Sequence, residues 1–128
     1  MKHIKNTENA PAAIGPYNQA VVYGDMVYTS GNISLNPKGE MVGENDIILQ
    51  SEQVFKNLKA VLEHAGASLD TVIKTTCFLK DMNDFKAFNE IYAQNFDADS
   101  APARSTVEVA KLPLNVLVEV EAIAFLKK

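Results

Sequence analysis

The sequence has one cysteine, two histidines and no tryptophan among its 128 residues. A lone Cys77 excludes an intramolecular disulfide framework and a Cys-rich zinc site, and it fits a reducing compartment. His3 lies beside the N-terminus and His64 near the end of a helical stretch, so neither has the companions that a metal site needs. Positive charge is also scarce. Twelve Lys and Arg stand against sixteen Asp and Glu, a net charge of −4, and the only basic pair is Lys127-Lys128. That leaves no footprint for the phosphate backbone of a nucleic acid. No window reaches the ~18 apolar residues of a membrane span, and no apolar run follows the charged start at Met1–Asn6 as a secretory signal would require. Glycine-rich phosphate loops, His-Glu-x-x-His and Gly-x-Ser-x-Gly are missing as well. The expectation is a soluble, cytoplasmic protein using no metal and no cofactor.

What is present is the composition of one globular domain, residues 1–128, with 47% hydrophobic and 22% charged residues. Asn9–Pro16 cannot be helical, because two prolines push it into extended conformations. Asn18–Tyr23 and Met26–Ser30, separated by Gly24-Asp25, read as a hairpin, and Asn36-Pro37-Lys38-Gly39 as a turn. Ile47, Val54, Leu58, Val61, Leu62 and Ala65 recur at helical spacing, with Asn45 or Asp46 as N-cap and Gly66 where a left-handed C-cap belongs. Val72–Lys80 is β-branched and apolar, a strand that puts Ile73, Thr75, Cys77 and Leu79 on one face. Asp84 caps a second helix bearing Phe85, Phe88, Tyr92 and Phe96, and strands at Arg104–Ala110 and Val116–Phe125 follow. The order ββ-α-β-α-ββ predicts an α+β fold, a single sheet with two helices on one face. Two helices leave the other face bare, yet several strands are apolar on both sides, so that face is expected to be covered by another subunit.

Chemistry has few carriers in such a chain. Cys77, flanked by apolar strand residues, reads as a buried, inert thiol. Arg104, at the mouth of a strand, is either a solvated surface group or a planar fork for a carboxylate. Glu119 and Glu121 share one face of the last strand, about 7 Å apart, among Leu117, Ile123 and Phe125. Such a pair is either tied up in an ion pair or holds one desolvated carboxyl poised for proton transfer. Asn89 falls on or beside the apolar stripe of its helix, where an amide needs a partner. Tyr17 ends the rigid Gly15-Pro16 segment, as a rim aromatic or a ligand contact.

Taken together, Asn9-Ala-Pro-Ala-Ala-Ile-Gly-Pro-Tyr17, Thr29-Ser-Gly31, Val72-Ile-Lys-Thr-Thr76, Pro102-Ala-Arg-Ser105 with Val107-Glu-Val-Ala110, and Val118-Glu-Val-Glu-Ala-Ile-Ala124 resemble the Rid/YjgF family, and most of all its RidA-type enamine/imine deaminases. The resemblance runs through essentially the whole chain in order. It implies a chorismate-mutase-like fold in which three subunits pack their sheets into a barrel-like core, with sites in the clefts between them. It implies that Arg104 binds a substrate carboxylate, that Tyr17 walls the cleft, and that Glu121 holds or activates water. Ser30, Gly31, Asn89 and Thr106 would line the same cleft. Thr106 stands where deaminase-type members commonly carry cysteine, and Asn32 and Ser34 stand where Gln and Pro are more usual.

The activity so implied is hydrolysis of 2-aminoacrylate-type enamines and their imine tautomers to 2-keto acids and ammonia. Two other readings compete with it. One is a trimeric module that binds keto acids or related carboxylates without turnover, which would gain nothing from Glu121. The other is the ribonuclease or translation-inhibitor activity attributed to some relatives, against which the net negative charge weighs.

Overall fold

A computed structural model describes residues 1–128. Eight elements carry the fold: strands β1 (Lys2–Lys5), β2 (Ala20–Tyr23) and β3 (Met26–Thr29), helix α1 (Ile47–His64), strand β4 (Val72–Leu79), helix α2 (Phe85–Asn95), and strands β5 (Ala103–Glu108) and β6 (Val118–Phe125). They form one six-stranded sheet in the order β1-β2-β3-β6-β4-β5. All neighbours are antiparallel except β4 and β5, which are parallel and joined through α2. The last strand in sequence is thus inserted into the middle of the sheet, with β4 between β5 and β6. No helix is long and apolar enough to cross a membrane.

Local chemistry sets the element ends. The Asp46 carboxylate accepts from the backbone N–H groups of Ile48 and Leu49, two of the donors that open α1 and have no partner within the helix. At the other end Gly66 adopts φ +95°, and Ala67 N–H donates to Leu62 O at 2.8 Å to close the last turn. The start of α2 departs from expectation. Asp84 makes no capping bond; Asp81 accepts from Asn83 N–H, and a short 3₁₀ turn at Met82–Asp84 leads into the helix. The sheet also has a strand that the sequence hides, β1. Its Lys-His-Ile-Lys stretch is largely exposed and lies on the sheet edge, where a charged strand needs only one neighbour.

The core lies between one face of the sheet and both helices. Val118, Val120, Ala122 and Ala124 line up along the buried face of β6, beside Thr75, Cys77 and Leu79 of β4. Ile73 does not share that face. A register irregularity between Val72 and Lys74 turns its side chain out, 46% exposed. Phe55 of α1 meets Phe88, Tyr92 and Phe96 with ring centroids 5.7–6.0 Å apart, and this aromatic cluster locks α2 onto α1. Removing such a ring costs about 3–5 kcal/mol. The opposite face of the sheet carries Tyr28, Phe78, Val107, Ile123 and Phe125, all exposed or half-buried in a single chain.

Candidate functional site

Arg104 points to the helix face of the sheet. On β5 it pairs with Thr75 of β4, whose hydroxyl is buried and shares a 2.8 Å hydrogen bond with the Tyr92 hydroxyl of α2. The guanidinium then packs on the same helix: its Cζ is 4.4 Å from the Tyr92 ring centroid and 5.4 Å from that of Phe85. Its one hydrogen bond runs from Nη1 to Oδ1 of Asn89, at 2.7 Å. Two aromatic faces and a neutral amide fix the plane of the fork without cancelling its charge. Thr106 follows two residues on, on the same face, and its Oγ1 is buried with no hydrogen-bond partner in the chain. Arg104, Asn89 and Thr106 are therefore one cluster, with a positive charge and an unused hydroxyl side by side.

Cys77 sits across from Thr106 on β4. Burial pushes its thiol up to about 11, against the opposing pull of the Thr75 hydroxyl, the Arg104 charge and the Thr106 hydroxyl. It is a packed, protonated thiol, not a nucleophile.

The other residues named from the sequence lie elsewhere. Tyr17, Ser30 and Gly31 line a cleft of about 510 Å³ formed by the proline-rich segment, the loop after β3 and Pro113-Leu114. The Ser30 hydroxyl donates to the Asn18 carbonyl, so its remaining capacity is as an acceptor. After Ser30 the chain leaves β3 and is caught again by β6, where Asn32 N–H donates to Val120 O at 2.8 Å and Val120 N–H returns a bond to Asn32 O at 3.1 Å. This brings Gly31 against Glu119, whose carboxylate occupies the space that a Gly31 side chain would need. Ser34, by contrast, turns fully inward, with its hydroxyl against Met41 Sδ, and takes no part in the cleft wall.

Of the two carboxylates, Glu121 is the exposed one and Glu119 is half-buried. Burial, reinforced by the negative charge of Glu121, raises Glu119 above the ordinary glutamate range. Glu119, beside Gly31, is thus the carboxyl that geometry marks as a proton-transfer candidate, whereas the family resemblance implied Glu121 and the residues alone left the pair undivided. Both residues share a strand face and a spacing of two, and only the pairing of Asn32 with β6 tells them apart.

The two clusters do not meet within one chain. Glu121, Thr76 and Ser105 form a row across β6, β4 and β5 on the outer face, while Thr75 and Arg104 are on the helix face. Three strand spacings, roughly 14 Å, separate β5 from Asn32 on the far side of β6. One cluster offers a cation and a buried hydroxyl; the other offers a carboxyl, a tyrosine and a shaped cleft.

Similarity to known proteins agrees with this architecture. Residues 7–126 match the family described as Endoribonuclease L-PSP. A RutC family protein of Synechocystis is 52% identical over 96% of this chain and 95% of its own. A Salmonella typhimurium protein named 2-iminobutanoate/2-iminopropanoate deaminase is 52% identical over 92% of this chain and 93% of its own. The crystal structure of the Escherichia coli YjgF gene product superposes with a TM-score of 0.90, at 48% identity, covering 98% of this chain and 99% of that one. With sequence, sheet topology and near-complete mutual coverage in agreement, the chain belongs to the Rid/YjgF family, within the endoribonuclease L-PSP group.

Proposed function

We propose that the protein is a 2-imino acid deaminase, hydrolysing 2-aminoacrylate-type enamines, through their 2-iminopropanoate and 2-iminobutanoate tautomers, to 2-keto acids and ammonia. The observation that carries this reading is Arg104, a charged fork fixed by Asn89, Tyr92 and Phe85 with its outer donors uncommitted. A planar carboxylate is the ligand such a fork matches. Relatives at 52% and 51% identity bear the deaminase name.

The two half-sites are complementary and lie on different surfaces of the same chain. A contact that joins different surfaces of identical copies is heterologous, and it forms a ring where its rotation closes. On the family resemblance that ring is taken to be a homotrimer with the sheets facing inward, in which Arg104, Thr106 and Asn89 of one copy complete a cleft lined by Tyr17, Ser30 and Gly31 of the next, with Glu119 beside Gly31. A reducing, cytoplasmic setting suits the lone thiol of Cys77.

The chemistry asked of these groups is modest. The imine carbon is already electrophilic. Arg104 anchors the substrate carboxylate and so fixes where C2 stands. Glu119 takes a proton from the attacking water as the water oxygen bonds to C2 and the C=N electron pair moves onto nitrogen, which takes a proton from solvent. The carbinolamine then collapses: Glu119 returns its proton to nitrogen, the C–N bond breaks, ammonia leaves, and the hydroxyl proton passes to solvent, replacing the one taken up in the addition, to give the keto group. Glu121 acts through its charge on Glu119.

The test generates 2-aminoacrylate in place with a pyridoxal-phosphate-dependent dehydratase and follows pyruvate. Wild type is expected to accelerate its release, and Arg104→Ala to abolish the acceleration. If wild type leaves the spontaneous rate unchanged while pyruvate still binds in an Arg104-dependent way, the protein is a carboxylate-binding module instead.

A further inference from the structure

The cleft is much larger than the smallest substrates require. Six heavy atoms, the size of 2-iminopropanoate, displace at most about 180 Å³ if each takes the share of one liquid water, about 30 Å³. The cleft holds about 510 Å³. Its Gly31 end is polar, with Glu119 alongside. Much of the remaining wall is aliphatic, Ile14, Ile33, Leu35 and Leu114 with Pro11 and Pro113, interrupted by the polar Gln19, Asn32 and Lys38.

Two of these side chains stand out in ways that neither water nor backbone geometry favours. Ile14 is 84% exposed and Leu114 is 65% exposed. Leu114 also adopts φ +53°, a left-handed conformation that turn chemistry normally gives to glycine or asparagine. Its neighbour Asn115, at φ +57°, suits that region, whereas a leucine there is held against its own backbone preference. An apolar residue that is both strained and solvent-facing needs a reason, and the cleft it lines supplies one.

The apolar wall is also rigid. Buried amides are bonded to its segments or close beside them. Gln19 Nε2 donates to Pro11 O at 2.8 Å. Asn57 Nδ2 donates to Ile33 O at 3.0 Å and to Leu35 O at 2.8 Å. Gln50 Oε1 accepts from Leu117 N–H at 2.8 Å, just beyond the Leu114 turn. These three amides are 7%, 1% and 2% exposed. Their bonds fix the wall before any ligand arrives, which lowers the entropic cost of binding.

Resting on the deaminase reading, we infer that Ile14 and Leu114 form a preorganised apolar rim that selects 2-imino acids with a branched aliphatic side chain over the methyl-bearing 2-iminopropanoate. Each methylene placed in a hydrophobic pocket contributes about tenfold or more to discrimination. A preference of at least tenfold in kcat/KM is therefore expected for the imine derived from leucine over that derived from alanine.

The experiment produces both imines with an amino acid oxidase and catalase, and traps what survives with semicarbazide. Wild type should show the preference, and Leu114→Ser and Ile14→Ser should each lower the ratio severalfold. A ratio near one in wild type, or one that neither variant moves, overturns the inference. So does loss of the oligomer in Leu114→Ser, seen by light scattering, since Leu114 would then be an interface residue. Equilibrium binding of 4-methyl-2-oxopentanoate and pyruvate separates this inference from the reading beneath it. If no imine is hydrolysed, the deaminase reading fails, and tighter binding of the larger keto acid, weakened in Leu114→Ser, still supports the rim. Equal affinities overturn the rim as well.

Discussion

The Glu119 carboxylate fills the place where a β-carbon on Gly31 would stand. These residues are far apart in sequence, and the exchange of backbone hydrogen bonds between Asn32 and Val120 holds them together. The glycine is there for close approach rather than for a left-handed backbone. It sets how deep the carboxyl lies and hence how strongly burial disfavours its charge.

Gly31→Ala should therefore act on the carboxyl and spare the fold. The methyl would meet the far end of a flexible side chain, at an exposed position, so Glu119 swings away and the backbone stays. The melting temperature should move by less than about 4 °C, the shift that roughly 1 kcal/mol gives a chain of this size. kcat/KM on in situ 2-aminoacrylate should fall by about 10²-fold, the scale of a 1 Å misplacement of a reacting group. Unchanged activity would mean that the position of Glu119 is immaterial.

The two glutamates can be separated by pH. Burial raises Glu119, and the charge of Glu121 raises it further. A general base works only when ionised, so the acid limb of kcat/KM should lie above the ordinary glutamate value. Glu121→Gln removes the like charge, and the limb should shift to lower pH with activity largely kept. Glu119→Gln should cost about 10²-fold or more across the whole profile. The reverse pattern, with Glu121→Gln inactive, would return the water-activating role to Glu121.

Arg104 is held as a plane, not merely as a charge. Arg104→Lys keeps the charge and loses both the fork and the stacking on Tyr92 and Phe85. The expected result is a rise in KM of tenfold or more. Asn89→Leu should give a smaller rise, since it removes the 2.7 Å bond that orients Nη1 and leaves the rings in place. A keto-acid titration checks both, and equal affinities in wild type and Arg104→Lys would exclude a bidentate grip.

Much of this fold could be read from local chemistry. Gly24-Asp25 between β-branched runs marks the β2–β3 hairpin, Asp46 and Gly66 bracket α1, and the aromatic spacing from Phe85 marks α2. What escaped was set by partners distant in sequence. Lys2–Lys5 is a strand only because β2 lies beside it, and Ile73 faces out only because β4 slips its register against β6. The same limit applied to the site. Arg104 and the acidic pair stand out from their apolar neighbours, but that Glu119 and not Glu121 packs against Gly31 depends on the loop that β6 captures at Asn32. The sequence pattern placed Arg104 with Thr106 correctly; that the glutamates lie on the opposite face follows only from the register through β4.

Cys77 offers a check on the core that does not depend on the reaction. Its thiol is pushed up to about 11 from an ordinary value of 9.0. As pH rises through 9 the unfolded chain loses this proton while the folded chain keeps it, so the unfolded state binds fewer protons and stability falls. The contribution is intact below pH 9 and is lost progressively towards 11. At about 1.4 kcal/mol per pKa unit the full loss is at most roughly 3 kcal/mol. Urea melts of wild type and Cys77→Ala at pH 8 and pH 10 isolate it, because the other titrating groups are common to both. Wild type should lose more stability over that interval than the alanine variant, which starts lower because of its cavity. Iodoacetamide should label the folded protein very slowly at pH 8, where about one thiol in a thousand is ionised, and rapidly once urea unfolds it. Fast labelling of the native state would show that the strand carrying Thr75 and Cys77 opens readily, and the platform beneath Arg104 would then not be rigid.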